Sequence, residues 1–386
     1  MKKLLIYFPE RKLLPKGGPA GYLYNLKKGL DNIKTSNLQI SFYNNLQNEL
    51  EENVALRNKV PKRIKEIRRA IKFSKRLKSK CKVDESIFEY DAIHFHSTED
   101  MYINRELLKQ YSGKVILTSH TPCAPYKEII GRLNPVDYKI FKKKIDKLIE
   151  IDLYAFQRAD YIIFPCQEAE EPYYHTFDNY ENIRDDSKYR YLLTGNIKAT
   201  ANIGRKEIRE KYGIPENAFL ISYVGRHNEI KGYQNLKEIG NRILNKNPNI
   251  YFLIAGKEEP IKRLEHERWI EVGWTNDPHS IIAASDLFFL PNKETYFDLV
   301  LLEVLSLGIP VIMSNTGGNK YFKKFNSDSL MLYENFTQAE NFIENIMQMP
   351  LKEREKLGLK NKLIFEQNFT TDIFAKQYIK IIDSLI

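Results

Sequence analysis

Cysteine is scarce in this sequence. There are three in 386 residues, Cys81, Cys123 and Cys166, with no CxxC pair and no grouping with histidine. That excludes a disulfide framework and a structural zinc site, and it fits a reducing compartment. Long apolar runs are missing too. Lys2-Lys3 followed by Leu4 to Phe8 is cut off by Pro9-Glu10-Arg11, far short of a secretory core, and no stretch reaches the roughly 20 apolar residues that cross a bilayer. A cytoplasmic protein is expected, with any membrane contact peripheral. Neither a GxGxxG fingerprint nor a GK[ST] phosphate loop occurs, so the usual signatures of NAD and ATP sites are absent. The surplus of positive charge sits in one place. Between Arg57 and Lys82 a single Glu66 stands among thirteen Lys or Arg, a local +12 in a chain of net +10, so the other 360 residues sum to −2.

What is present is ordinary globular composition, with 42% hydrophobic, 28% charged and 12% aromatic residues, enough chain for two to three domains. Short apolar runs alternate with longer amphipathic stretches, the pattern of parallel strands buried between helices. Strands are predicted at 3–8, 38–43, 91–95, 114–119, 160–164 and 190–193, with helices near 20–32, 60–79, 101–110, 135–158 and 167–175. After a loop following Gly195 the pattern restarts. Strands are predicted at 219–225, 250–255, 269–272, 286–290, 310–313 and 329–332, with helices near 204–212, 231–245, 260–267, 277–284, 299–307 and 335–347. The last 36 residues carry helical periodicity alone. The expected fold class is α/β, two doubly wound parallel-sheet domains: an acceptor-binding domain at 1–195, completed by a helix at 370–386, and a second domain at 196–369. Ligands of open α/β sheets bind outside the carboxyl ends of the strands, so two such domains face to face predict a cleft.

Several strand ends carry chemistry. In Val224-Gly225-Arg226-His227-Asn228-Glu229-Ile230-Lys231-Gly232 a buried strand ends in glycine and a helix starts a few residues on. A helix amino terminus plus two cations, Arg226 and Lys231, suits a diphosphate; two solvated cations on a surface turn is the plainer alternative. In Glu294-Thr295-Tyr296-Phe297-Asp298-Leu299-Val300-Leu301-Leu302-Glu303 carboxylates bracket another strand-to-helix junction. There Glu303 could accept from sugar hydroxyls while amides near Asp298 and Leu299 meet phosphate oxygens, or the acids could merely stabilise the helix dipole. Glu303 lies in so apolar a run that it calls for a partner. Gly17-Gly18-Pro19-Ala20-Gly21 is a loop that lets backbone approach a phosphate. His94, His96 and His120 end two strands, suited to acid/base work or to hydrogen-bonding a sugar hydroxyl. No carboxylate or Cys joins them in a metal-ligand pattern, so no metal is expected. In the cationic segment Val60, Ile64, Ile67 and Ile71 form one stripe on a helix otherwise basic. That is the signature of an interfacial helix on an anionic membrane or acceptor, or of a helix packing its stripe inward; no nucleic-acid motif accompanies it.

In this order the motifs resemble glycosyltransferase family 4 on a GT-B fold: GGPAGY, HFH, TSH, VGRxxxxKG, the ETYFDLVLLEVLSLGIPVI segment and Thr316-Gly317-Gly318. The resemblance implies that Arg226 and Lys231 hold the diphosphate of a nucleotide-sugar donor, UDP foremost. It implies that Glu303 binds the ribose, that Gly17 and Gly18 lie under phosphate and sugar, and that His120 contacts the sugar at the reacting carbon. It also implies metal-independent transfer with retained anomeric configuration, to a glycan or lipid-linked acceptor. Two positions depart from the pattern. Register places Thr295 rather than Glu294 at the first glutamate, and Asp298 replaces the usual glycine after phenylalanine. The other readings are a GT-B epimerase or phosphorylase and a non-catalytic binder of glycan or anionic membrane.

Overall fold

In the computed structural model, which describes residues 1–9, 13–15, 18–33, 37–43, 61–76 and 85–386, each predicted apolar run is a strand. The first six are β1 (Lys2–Tyr7), β2 (Leu38–Phe42), β3 (Ala92–Phe95), β4 (Lys114–Leu117), β5 (Tyr161–Phe164) and β6 (Tyr189–Tyr191). They form one parallel sheet in the order β2-β1-β3-β4-β5-β6. The other six are β7 (Phe219–Val224), β8 (Ile250–Ala255), β9 (Trp269–Gly273), β10 (Leu287–Leu290), β11 (Val311–Ser314) and β12 (Leu330–Tyr333). Their sheet is also parallel, in the order β12-β11-β10-β7-β8-β9. Central strands are continuous hydrophobic runs because helices cover both faces; Leu287 to Leu290 are all buried.

The chain divides into two compact units. One comprises Met1–Pro165, Pro172–Leu192 and Ala375–Ile386; the other comprises Cys166–Glu171 and Leu193–Phe374. The terminal helix Thr371–Leu385 thus gives most of its length to the first unit, where Lys2 pairs with Asp383 at 3.0 Å and Tyr378 is fully buried.

Each order contains a switch point, where consecutive crossovers run to opposite sides and leave a crevice at the strand ends. In the second unit it lies between β7 and β10, in the first between β1 and β3. Ligand sites are therefore expected at the carboxyl ends of these four strands.

Most helices stand near where periodicity puts them; 101–110 divides into Thr98–Ile103 and Arg105–Leu108, 167–175 opens with a 3-10 turn at Gln167–Glu170, and two further regions differ more. Residues 260–267 form no helix. Ile261 and Leu264 mimic helical spacing, but both pack on the core from an irregular segment, and the Ile261 amide donates to the distant His227 carbonyl at 3.1 Å rather than to a carbonyl one helical turn before it. The stretch 135–158 is broken into Pro135–Ile145, a 3-10 turn at Asp146–Leu148, and Ile149–Arg158.

Candidate active site

The second unit's switch point brings the two strongest motifs together. β7 ends at Val224, and the turn Gly225 to Gly232 leads into the helix Tyr233–Lys246. β10 ends at Leu290, and the loop from Pro291 leads into the helix Leu299–Leu307. Turn and loop are laced to each other. The amides of Lys293 and Glu294 donate to the Ile230 carbonyl, at 2.9 and 3.3 Å. Gly232, at φ 65°, lies so close to the loop that a Cβ would meet the Pro291 carbonyl oxygen at 1.7 Å. Two helix amino termini and two loop cations, Arg226 and Lys231, therefore lie at one pair of strand ends, an arrangement suited to a diphosphate.

Arg226 is exposed, with its carbonyl accepting from Tyr223 Oη at 2.9 Å. Lys231 is mostly covered, and its Nζ donates to Asp298 Oδ1 at 2.6 Å. Asp298 is the N-cap of the Leu299–Leu307 helix, yet its side chain makes no capping bond. Its second oxygen accepts from Asn292 Nδ2, also at 2.6 Å. The carboxylate read from sequence as bracketing the helix is thus turned onto the expected phosphate cation.

Glu303, one turn into that helix, faces His279 of the helix Pro278–Ala283 at 3.4 Å. That pairing raises the His279 pKa, and it is the partner that a carboxylate in so apolar a run required. Glu294 is half-buried on the loop, whereas Thr295 beside it is buried, with its backbone carbonyl accepting from the Gly318 amide at 3.2 Å. Leu299 opens the helix, and its carbonyl accepts from Asn196 Nδ2 at 3.3 Å.

Beneath the turn lies a cluster that sequence reading passed over. The His227 ring is fully buried and stacks on Tyr233 at 3.8 Å between centroids, and Tyr233 Oη and Trp269 Nε1 both donate to Glu271 Oε1, at 2.5 and 2.9 Å. Burial lowers the His227 pKa to about 4, so a neutral ring supports the turn. Asn292 and His279 were also passed over. Their signal was positional: Asn292 follows β10 by two residues, and His279 follows the Asp277-Pro278 cap of a helix.

The first unit gathers the three histidines at the ends of β3 and β4. His94 is fully buried and spans Tyr378 Oη at 2.8 Å and Thr118 Oγ1 at 2.9 Å, and His96 Nδ1 lies 2.8 Å from His120 Nε2. The His120 backbone is left-handed at φ 61°, and its ring stands edge-on to Tyr22 at 4.6 Å. Burial lowers the pKa of His94 and of His120 to about 3, and that of His96 well below its ordinary value. All three are neutral near pH 7, so they serve as hydrogen-bonding groups rather than cations. Gly18, at φ 81°, caps the helix Pro19–Asp31 and accepts from the Tyr22 amide at 3.1 Å, with open space on its Cβ side. Gly17 lies outside the described residues. Among the described residues no group of three His, Cys, Asp or Glu could hold a metal ion.

Of the cationic segment, the helix Lys62–Arg76 is described, and Val60 lies outside. Ile67 and Ile71 are half-buried and Ala70 is buried, so part of the apolar stripe packs inward, while Ile64 stays 42% exposed. Arg63 holds Asp137 of the helix Pro135–Ile145 with two hydrogen bonds, of 2.8 and 2.6 Å. That second helix exposes Val136, Ile140, Lys139 and Lys143. Among the described residues no helix is long and apolar enough to span a membrane.

Known proteins resemble this chain in sequence and in fold. Residues 204–364 match the model of the glycosyl transferases group 1 family. A galactosyltransferase of Escherichia coli, UDP-Gal:alpha-D-GlcNAc-diphosphoundecaprenol alpha-1,3-galactosyltransferase, is 25% identical over 277 residues, 68% of this chain and 66% of that protein. The O-antigen biosynthesis glycosyltransferase WclY of Escherichia coli is 26% identical over 185 residues, 46% of this chain and 50% of that protein. The aligned segments thus span between half and about two-thirds of these relatives. Among solved structures HepE of Anabaena, in complex with UDP, superposes with a TM-score of 0.65 at 14% identity, covering all of both chains. The two six-stranded parallel-sheet units are accordingly those of the GT-B fold, and residues 204–364, within the second unit, are similar to the group 1 glycosyl transferases.

Proposed function

We propose that this protein transfers a hexose-type sugar from a nucleoside diphosphate, UDP foremost, to a glycan or lipid-linked glycan acceptor in bacterial surface polysaccharide synthesis. The observation that carries this is the crevice between β7 and β10, where Arg226, Lys231 and two helix amino termini converge. In the transition state the leaving diphosphate gains charge, and cations already in place stabilise it without reorganisation, the role a metal plays elsewhere. The donor then needs no metal, and the anomeric configuration is retained. Glu303 takes the ribose, with His279 orienting its carboxylate. Glu294 or Thr295, with the amide of Leu299, lies along the sugar and phosphate. In the first unit the family resemblance assigns Gly17 and Gly18 to phosphate and sugar, and neutral His120, beside His96 at 2.8 Å, to the transferred sugar. The first unit takes the acceptor. The E. coli galactosyltransferase, named for UDP-Gal and a GlcNAc-diphosphoundecaprenol acceptor, and HepE, solved in complex with UDP, support this choice of donor and acceptor class.

The basic helix Lys62–Arg76 and the exposed Val136 and Ile140 beside it serve to hold the protein on an anionic membrane surface, peripherally and on the cytoplasmic side. Each basic residue near such a leaflet contributes about 1 kcal/mol. The transfer reading is tested by incubating the protein with a panel of UDP-hexoses and a lipid-linked GlcNAc-diphosphate, followed by mass spectrometry and NMR of the product. A glycosidic product with the donor's anomeric configuration is expected, lost in Arg226→Ala. Conversion of the UDP-sugar without any acceptor would overturn the reading in favour of epimerisation.

A further inference from the structure

Aspartate is among the best N-cap residues because its carboxylate accepts from the free amides of the first helical turn. Asp298 occupies that position on the Leu299–Leu307 helix and leaves the capping bond unmade. Both of its oxygens are spent elsewhere, on Lys231 Nζ and on Asn292 Nδ2, each at 2.6 Å. The two side chains of the ion pair are 22% and 15% exposed, so the pair is sheltered from screening more than a surface bridge is. To a lysine ammonium, a carboxylate and a phosphate are interchangeable as anionic oxygen acceptors. Asp298 therefore sits on Lys231 as a phosphate would.

We propose that Asp298 is a resident counter-ion for the donor site: it neutralises Lys231 in the donor-free protein, competes with the incoming diphosphate, and so sets how tightly the nucleotide is held. The proposal rests on Lys231 being a diphosphate ligand. It follows from charge. A partly buried ammonium is costly without a partner, and Asp298 supplies one while the site is empty. An arriving diphosphate meets that carboxylate as a like charge and must part it from Lys231. Released, the Asp298 carboxylate has a second place to go, the unmade capping bond at its own helix, with Asn292 able to follow it as donor. The same exchange in reverse speeds departure of the spent nucleoside diphosphate, because the carboxylate refills the vacated cation.

Calorimetric titration of UDP and of uridine into the full-length protein, Asp298→Asn and Asp298→Gly tests this, with melting curves to verify folding. Asparagine keeps the shape and can still accept from Asn292, but it removes the charge. UDP is expected to bind at least tenfold more tightly to both variants, with uridine, which lacks phosphate, unchanged. UDP binding to the unaltered protein but equally or less tightly to both variants would overturn the proposal, making Asp298 a group that orients Lys231. If UDP at saturating concentration binds none of the three folded proteins, the diphosphate reading of Lys231 itself fails, and the counter-ion role falls with it.

Discussion

A single methyl group on Gly232 would have to occupy the space of the Pro291 carbonyl oxygen, in backbone at φ 65° where L-residues are strained by about 1–2 kcal/mol. Gly232→Ala is therefore expected to lower stability by at least that amount and to push the β7 turn off the β10 loop. Urea unfolding checks the first effect, and a UDP affinity weakened tenfold or more checks the second. His279 makes a pH prediction at the same scale. Its pKa is raised in the folded protein, first by the hydrogen bond to Glu303, above the ordinary 6.5. The charged form is thus favoured by folding, and the resulting stability is fully present below about pH 6.5 and lost as pH rises through the raised value. Melting temperatures of the unaltered protein and His279→Gln should differ at pH 5.5 and converge by pH 9. The histidines of the first unit have the opposite sign. His94 and His120 titrate near 3 when folded and near 6.5 when unfolded, so the stability they contribute is present above pH 6.5 and drains away as pH falls, by about 1.4 kcal/mol per pH unit for each group. A urea series from pH 7 to pH 4 should show that slope, and it should be shallower in His94→Asn.

Among the elements, the start of β10 is pinned by one carboxylate. Asp286 is buried and accepts from Arg205, Arg209 and Arg354, each at 2.8 Å, and from the Leu220 amide at 2.8 Å. It ties the helices Arg205–Lys211 and Leu351–Asn368 to the strands whose far ends carry the site. Asp286→Ala leaves buried guanidinium without a counter-charge and should cost about 3–5 kcal/mol in chemical denaturation. The twelve strands were legible because each is a short apolar run bounded by turn residues, and parallel burial makes such runs continuous. The helix expected at 260–267 was not legible as a loop, because Ile261 and Leu264 present the same spacing to a core whether or not the backbone between them is helical. At the site, Arg226, Lys231 and Glu303 stood out because each lies at a strand-to-helix junction. That Lys231 and Asp298 meet, and that Glu303 meets His279, was not legible, since both contacts join segments 67 or fewer residues apart only through the sheet order. His227, Tyr233 and Glu271 stayed hidden for the same reason: nothing in sequence distinguishes a stacked buried histidine from a solvated one.

At the scale of the whole molecule, charge and fold divide the work. The second unit carries the family match and the proposed diphosphate crevice, and the first carries the histidine group and the basic helix. If that helix holds the protein on anionic lipid, sedimentation with vesicles containing phosphatidylglycerol should exceed that with neutral vesicles and fall with salt. It should fall again when Lys65, Arg68 and Lys72 are changed to glutamate together, and equal binding to neutral vesicles would remove the electrostatic account. The claim on which everything else depends is that the β7 and β10 strand ends hold a nucleoside diphosphate. The most direct measurement is a thermal-shift panel of UDP, GDP, ADP, CMP and dTDP on the unaltered protein and Arg226→Ala. A ligand at 100 times its dissociation constant adds about 2.7 kcal/mol, a shift of roughly 5 to 10 °C for a unit of this size. The expected result is a shift of that order with UDP, smaller with the others and absent in Arg226→Ala; a folded protein that no nucleotide stabilises, or one that UDP stabilises equally without Arg226, would contradict it.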